Sequence, residues 1–434
     1  MKLYPHVQKQ DPQIYKALVG EEKREAEGLE LIPSENYVSK AVREASGSIF
    51  TNKYSEGFPY KRYYGGQDYT DPMEVIAIER AKKLFRCDHA NVQVLGGASA
   101  NEIAYLAWME PGDTILGMDL SHGGHLTHGH PVTHMAKLFR FVRYKMKDVE
   151  TGEIDYDALR AMAKKEKPKM ILAGFSAYSR ELEWETIANI AHEVGAVAIA
   201  DVAHIAGLIA GGVLKNPFDH GFDIVTTTTH KTLRGPRGGL ILSKGTVSSP
   251  LRAPEKTIEN LPTLIDRSVF PGFQGGPHMH QVAAKAICFG EALKPKFKTY
   301  AKQILKNAKA MEKVFKKEDI RLIAGGTDNH LLLADVWSSM HIGGKDAEET
   351  LDKVGITLNK NAIADDSRKP YDPSGIRFGT PAITTRGFKE KESTHVAELM
   401  IQALRNKDDT KTLKQIREEI RKLCKRFPIP DSFV

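Results

Sequence analysis

Cysteine is scarce in this chain of 434 residues: there are 3, Cys87, Cys288 and Cys424, far apart and odd in number. That excludes a disulfide framework and a cysteine-rich zinc site, and it suits a reducing compartment. Long apolar runs are also missing. The most apolar stretch, 196–213, is broken by Asp201 and His204 and then by glycines. Charge inside a bilayer is costly, so a buried strand with its loop is expected there, not a membrane span. The opening residues Met-Lys-Leu-Tyr-Pro-His lack the apolar core of a secretion signal. The expectation is a cytoplasmic protein with no membrane partner. No internal repeat or low-complexity linker divides the chain, so its domains must be read from changes of pattern.

What is present is ordinary for a globular enzyme. Hydrophobic residues make up 41% and charged residues 27%. A chain this long can bury a large core without covalent staples, and it has room for two or three domains. The formal charge is +7 and the sequence pI about 9.0. A lysine-rich surface in the C-terminal third accounts for the excess. Steering of an anionic substrate and nucleic-acid binding are the other readings.

Residues 1–30 read as an arm and helix with charge pairs such as Glu21, Glu22, Lys23 and Arg24. Helix and strand patterns alternate from Asp71 onward. Asp71-Pro72 supplies an N-cap and a proline at the first helical position. The helix that follows presents Val75, Ile78 and Leu84 to one side. A second helix, from Asn101 to Met109, is entered from the loop Gly96-Gly97-Ala98-Ser99. Short runs at 114–116, 138–142, 170–172, 197–200, 224–227 and 240–242 read as strands, with helical patterns such as 156–163 and 184–194 between them. The alternation predicts an α/β fold, a mainly parallel sheet covered on both faces. Beyond a helix beginning near Pro277, lysine rises. Long helices are expected at 295–317, 389–405 and 412–426, around short strands at 330–336 and 376–378. The expected domains are an N-terminal arm and helix (1–35), a large α/β domain (36–292) and a small α+β domain (293–434).

The most informative stretch runs from Asp223 through Thr-Thr-Thr-Thr-His230-Lys231-Thr232 to Gly239. A β-branched run delivers one lysine into a loop beside a histidine, hydroxyls and glycines. Such an amine can form a Schiff base, the way pyridoxal phosphate is anchored. That cofactor needs a phosphate cradle, an acid for its ring nitrogen, a stacking group and a cation for the substrate carboxylate. Gly96, Gly97, Ala98 and Ser99 stand where a strand-like run becomes a helix, which suits an anion. Asp201 ends a buried strand at the carboxyl edge of the sheet, where ligands bind in α/β folds. A buried carboxylate needs a partner; a protonated ring nitrogen, a helix N-terminus or a salt bridge would serve. Four histidines, His122, His125, His128 and His130, fall within nine residues with no carboxylate or cysteine among them. A ring stacked on a planar cofactor is expected there, and no metal. Arg377, between Gly375 and Gly379, can grip a carboxylate in bidentate fashion or form a domain-interface ion pair. The loop from Asn52 to Gly66 is dense in phenols and holds one acid, Glu56. Exposed aromatics mark interfaces, and the carboxylate can move protons.

Together these stretches closely resemble the serine hydroxymethyltransferase family of fold-type I pyridoxal-phosphate enzymes. The matching runs are 31–36, 51–66, 122–129, 174–179, 201–207, 226–239, 270–277, 359–361 and 374–384. They span nearly the whole chain in the expected order. The resemblance implies a mainly parallel seven-stranded sheet sandwiched by helices, plus a smaller C-terminal α+β domain. It implies that Lys231 holds pyridoxal 5'-phosphate covalently as an internal aldimine. Asp201 would pair with the ring nitrogen and His125 would stack on the ring. Ser176 and His204 would bond the cofactor oxygen or groups beside it, with His204 also facing substrate. Gly96, Gly97, Ala98 and Ser99 would cradle the phosphate; Tyr54, Gly275 and Gly276 would reach it from a neighbouring subunit. Ser34 and Arg377 would hold the substrate carboxylate, with Tyr64 approaching the substrate. Glu56 would handle protons on the substrate hydroxyl and on folate. Leu120, Gly124, Leu126 and Asn361 match folate-contacting positions. Thr228, His230 and Arg237 would support the lysine loop.

The implied reaction is reversible transfer of the hydroxymethyl carbon of L-serine to tetrahydrofolate, giving glycine and 5,10-methylenetetrahydrofolate. It would pass through an external aldimine and a quinonoid intermediate, by retro-aldol cleavage or by folate attack on Cβ. A folate-independent threonine-type aldolase is the rival among enzymes, and an RNA-binding protein the rival outside them. Shared sites imply a homodimer or a dimer of dimers. The chain departs from the family pattern in the phosphate loop, where Gly96 stands for a serine and Ser99 for a glutamine. Losing one charge-assisted bond costs about 1.5–3 kcal/mol unless Ser99 or a water replaces it. Pro33 replaces a common alanine. The segment 244–269, with Pro250, Pro254 and Pro262, is longer than in typical bacterial members and reads as a surface excursion.

Overall fold

The computed structural model describes residues 4–247 and 254–430. The chain forms two compact units. One is Ala41–Lys302 with Ile323–Asn329; the other takes the residues up to Lys40, Gln303–Leu322 and those from His330 onward. The division falls inside the helix Pro295–Lys317.

The larger unit is built on seven strands: β1 (His89–Asn91), β2 (Thr114–Met118), β3 (Arg140–Tyr144), β4 (Met170–Gly174), β5 (Val197–Asp201), β6 (Ile224–Thr228) and β7 (Gly239–Ser243). Their order in space is β1-β7-β6-β5-β4-β2-β3. Strands β2 to β6 pair in parallel, and β7 runs antiparallel to both β6 and β1. Every residue of β4 to β7 is buried. Burial on both faces is why these segments read as unbroken apolar or β-branched runs. β1 was not foreseen, because His89-Ala90-Asn91 is short and polar. Asp266 holds it, pairing with His89 Nε2 at 2.9 Å and accepting from Asn91 Nδ2 at 2.8 Å.

Three expectations need correction here. Asp71 is not an N-cap: the helix Thr70–Phe85 begins after Tyr69, and Asp71 lies in its first turn. Its carboxylate instead accepts from Tyr60 N and Arg62 Nε, each at 2.9 Å. The buried face of that helix carries Glu74, Ala77, Ala81 and Leu84, while Val75 and Ile78 are only half-buried. It packs on the helix Met279–Ala292, and Arg80 Nη1 donates to Ala286 O at 2.7 Å. The segment after Ser243 is not wholly a surface excursion. Leu261–Arg267 is a helix, and Leu261, Ile265 and Val269 are fully buried in a cluster with Ile103 and Ala104. Their spacing of four puts them on one helical face. Pro250 lies outside the described residues. Among those residues no helix is long and apolar enough to cross a membrane; the stretch 196–213 holds β5 and the short helix Ala206–Ala210.

The smaller unit has a three-stranded antiparallel sheet, with Gly375–Gly379 between Leu331–Asp335 and Asn359–Asn361. Leu29–Glu30 pairs in parallel with Ile356–Thr357, which ties the N-terminal segment into this unit. Phe315, Leu332, Phe378, Val396 and Ile420 share its core. Arg386 is buried and donates to Gly28 O (2.7 Å), Cys424 O (3.0 Å) and Phe427 O (2.7 Å). One guanidinium thus satisfies the open carbonyls at the ends of two helices, Pro12–Glu27 and Thr410–Arg426. The helix Pro295–Lys317 carries eight lysines and one glutamate, a net +7 that equals the charge of the whole chain. All eight lysines are exposed.

An Arg386→Met protein leaves those carbonyls unpaired and should lose about 3 kcal/mol or more of stability. Urea denaturation of the two proteins measures this; a loss under about 1 kcal/mol would show the cap to be dispensable.

Candidate active site

The lysine loop is a closed turn between β6 and β7. Thr229 N donates to Gly238 O (3.1 Å), Gly235 N to Thr229 O (2.7 Å) and Thr229 Oγ1 to Pro236 O (2.5 Å). Lys231 is half-buried within it. Behind it, Thr232 Oγ1 donates to His204 O and accepts from Gly207 N, both at 2.9 Å. Gly207 has no room for a side chain, since a Cβ would lie 2.1 Å from Thr232 O. The threonine run therefore does more than form a strand: its hydroxyls anchor the loop. His230 is pushed down to about 3 by burial and then by the positive charges of Arg237 and Lys231. Its Nδ1 is buried without a partner, so its imidazole is neutral at ordinary pH.

Asp201, at the carboxyl end of β5, sits one strand away. Its Oδ2 accepts from Asn101 Nδ2 (2.8 Å) and pairs with His128 Nε2 (3.0 Å); Oδ1 accepts from Ala203 N (3.0 Å). Burial alone would raise this carboxyl. The hydrogen bond from His128, with His125 nearby and the Asn101 amide, outweighs it and holds the pKa well below the usual range. Asn101 is itself fixed by Thr226 Oγ1, which donates to its Oδ1 at 2.5 Å. His128 Nδ1 accepts from His125 N at 3.1 Å, so its Nε2 carries the hydrogen that points to Asp201. His125 Nδ1 lies 2.8 Å from Thr127 Oγ1, which accepts from Asn101. Asn101, Thr127 and His128 were not assigned from sequence. The signal for His128 was its place three residues after His125, the spacing of one tight turn.

The phosphate loop lies at the same edge. The helix Gly97–Trp108 has Gly96 as N-cap, and its first internal bond runs from Ala100 N to Gly96 O (2.9 Å). The N–H groups of Gly97, Ala98 and Ser99 are the open donors of the helix. Ser99 Oγ donates to Gly96 O at 3.1 Å. A Cβ on Gly97 would meet Thr228 Cγ2 at 2.6 Å, so this helix end abuts the end of β6. Ser176 Oγ donates to Gly124 O at 2.7 Å and joins the His125 turn to the residues after β4. Leu120 and Leu126, on the turns flanking Gly124, are exposed.

A second group gathers around Glu56. Its Oε1 accepts from Tyr54 OH (3.1 Å) and its Oε2 from Tyr64 OH (3.3 Å). Gly276 packs on the Tyr54 ring, and Gly275 faces the Glu56 carboxylate. Tyr54 is 56% exposed and Tyr64 49%. Ser34, Asn361 and Arg377 belong to the smaller unit. Arg377 Nε donates to Asn359 Oδ1 at 3.1 Å, and burial pulls its pKa down to about 10, so it stays charged. Gly379 N donates to Leu31 O at 2.7 Å, which brings the segment before Ser34 to the same strand.

The donors fit pyridoxal phosphate. There is an ionised buried carboxylate, a row of open N–H groups and a lysine at one sheet edge. They suit a metal less well. Asp201 does bring a carboxylate within 4.8 Å of His125 and His128, which the local sequence lacked. However, both the Asp201 Oδ2 and His128 are already committed to hydrogen bonds.

A mainly parallel seven-stranded sheet flanked by helices is the architecture of the fold-type I pyridoxal-phosphate enzymes. Residues 7–400 match the family model described as serine hydroxymethyltransferase, and the chain belongs to that family. The family depends on pyridoxal phosphate, uses tetrahydrofolate and interconverts serine and glycine by hydroxymethyl transfer.

Gly97→Ala should lower the thermal midpoint and cofactor affinity together, and Thr228→Ser in the same chain should restore both, because only the threonine methyl clashes. Absence of rescue would refute that contact. For His230, the folded pKa lies below the unfolded value of about 6.5. Stability should therefore fall as pH drops below about 6.5, and this loss continues to about 3. Urea midpoints of wild type and His230→Gln between those limits test it; equal slopes would count against a buried neutral imidazole.

Proposed function

We propose that this chain transfers the hydroxymethyl carbon of L-serine to tetrahydrofolate, with Lys231 as the covalent anchor of pyridoxal phosphate. The observation that carries the reading is the Asp201 carboxylate. It is buried, held ionised by His128 and Asn101, and lies at the sheet edge that also carries the Lys231 loop and the open N–H groups of residues 97–99. When bound, pyridoxal phosphate supplies a sink for the electron pair left by cleavage of the serine Cα–Cβ bond.

The residues then take these parts. Asp201 keeps a positive charge on the ring nitrogen, and Asn101 and His128 keep Asp201 ionised. His125 covers the ring face, with Ser176 and His204 beside it. Gly97, Ala98 and Ser99 hold the phosphate dianion through backbone N–H groups. Arg377, with Ser34, binds the amino-acid carboxylate and orients Cβ for cleavage. Glu56, positioned by the Tyr54 and Tyr64 hydroxyls, takes the proton of the substrate hydroxyl and serves folate. Leu120, Gly124, Leu126 and Asn361 form the folate contacts. Exposure of the Tyr54 and Tyr64 rings supports a homodimer in which Tyr54, Gly275 and Gly276 complete the partner's phosphate site. The 3 cysteines are free and buried, which suits the cytoplasm.

Purified protein titrated with pyridoxal phosphate should gain a visible absorbance band, and glycine followed by tetrahydrofolate should change it. Lys231→Ala should abolish the covalent band; its persistence would defeat the anchor assignment. Arg377→Ala should weaken serine binding by roughly 10- to 100-fold while cofactor affinity holds. Equal losses of both would count against a carboxylate role. Serine cleavage at full rate without folate would favour an aldolase.

A further inference from the structure

One buried cation has no part in the scheme above. Lys285, on the helix Met279–Ala292, is 2% exposed. Its ammonium donates three hydrogen bonds, to Val92 O (2.7 Å), Val94 O (2.8 Å) and Gly239 O (2.8 Å). Val92 and Val94 lead into the phosphate loop, and Gly239 follows the lysine loop. Gly238 packs so closely that a Cβ there would lie 2.3 Å from Lys285 Cε. Burial pulls this ammonium down to about 7, and the Glu74 carboxylate opposes the fall.

Glu74 is buried too. It accepts from Gln93 Nε2 at 2.8 Å and pairs with Arg62. Arg62 donates to Asp71 Oδ1 at 2.9 Å, to Ser55 O at 2.9 Å and to Gly57 O at 2.8 Å. Those two carbonyls flank Glu56. Gln93 Nε2 also donates to Gly57 O at 3.0 Å. Two cations and two carboxylates therefore run beneath three loops: the Glu56 loop, the phosphate loop and the lysine loop. Burying four charges is expensive, and apolar side chains of similar volume would stabilise the fold at least as well. What apolar side chains lack is directional bonds to chosen carbonyls.

We propose that Lys285 and Arg62 are positioning residues of one buried network. Lys285 sets the spacing between phosphate loop and lysine loop, Arg62 sets Glu56, and Glu74, bonded to the side chain of Gln93 between Val92 and Val94, couples the two. The inference rests on the roles given above to Lys231, the phosphate loop and Glu56.

The test uses full-length Lys285→Met and Arg62→Met proteins stripped of cofactor and then titrated with pyridoxal phosphate. Lys285→Met should weaken cofactor binding by about tenfold or more. Arg62→Met should weaken cofactor binding by less than Lys285→Met does, because only Tyr54 of its loop is assigned to the phosphate site, yet cut tetrahydrofolate-dependent turnover at saturating cofactor by about tenfold or more with little change in the serine KM. Glu74→Gln should move both readouts. Should either methionine variant fail to fold, Lys285→Gln and Arg62→Lys replace them, with the same split at smaller amplitude. Losses of cofactor affinity and turnover that track the fall in thermal midpoint, equally in both variants, would overturn the proposal and leave a purely structural network. Wild-type protein that takes up no pyridoxal phosphate would remove the functional reading, and this inference with it. Wild type that binds, beside variants that do not separate, removes the inference alone.

Discussion

A carboxylate buried at the end of a strand keeps its charge only when donors replace the water it has lost. Asp201 has such donors: the Asn101 amide, the His128 ring and the Ala203 N–H. Each is fixed in turn. Thr226 on the neighbouring strand orients Asn101, and the backbone of His125 selects the His128 tautomer. One ionised oxygen therefore links β5, β6, the helix Gly97–Trp108 and the histidine turn. The same turn is held from its other side by Ser176, which donates to Gly124 O.

The parallel sheet was legible because burial on both faces writes a continuous apolar signature. The six runs at 114–116, 138–142, 170–172, 197–200, 224–227 and 240–242 correspond to β2 through β7. β1 escaped because its stability comes from Asp266, over 170 residues away, and not from its own side chains. Asp71 misled for a related reason. Local rules give an aspartate before proline a capping role, but Arg62 and Tyr60 claim its carboxylate first. Leu261, Ile265 and Val269 carried the helical spacing of a buried face, yet the prolines around them suggested a loop.

The groups proposed to act on substrate and cofactor were legible as residue types in odd company: a lysine after four threonines, an arginine between glycines, an acid among phenols. The residues beneath them were not. Arg62, Glu74, Gln93 and Lys285 look like ordinary surface polar residues in one dimension. Only folding brings them together and shows that their side chains are buried. The phosphate loop shows a further limit. The change to Gly96 and Ser99 read as a lost hydroxyl, whereas Ser99 reaches back to the Gly96 carbonyl. The tight neighbour of the loop is Thr228, whose methyl leaves no space for a side chain at Gly97.

The helix Pro295–Lys317 bears on how the molecule behaves as a charged body. Its net charge matches that of the entire chain, so the remaining residues sum to electroneutrality. The surplus is spread along a rod about 35 Å long. At a polyanionic resin, this helix offers a cationic strip on a surface whose other charges sum to zero. Adsorption would be oriented, with this strip facing the resin, and elution would be governed by the salt that screens a single row of ammonium groups.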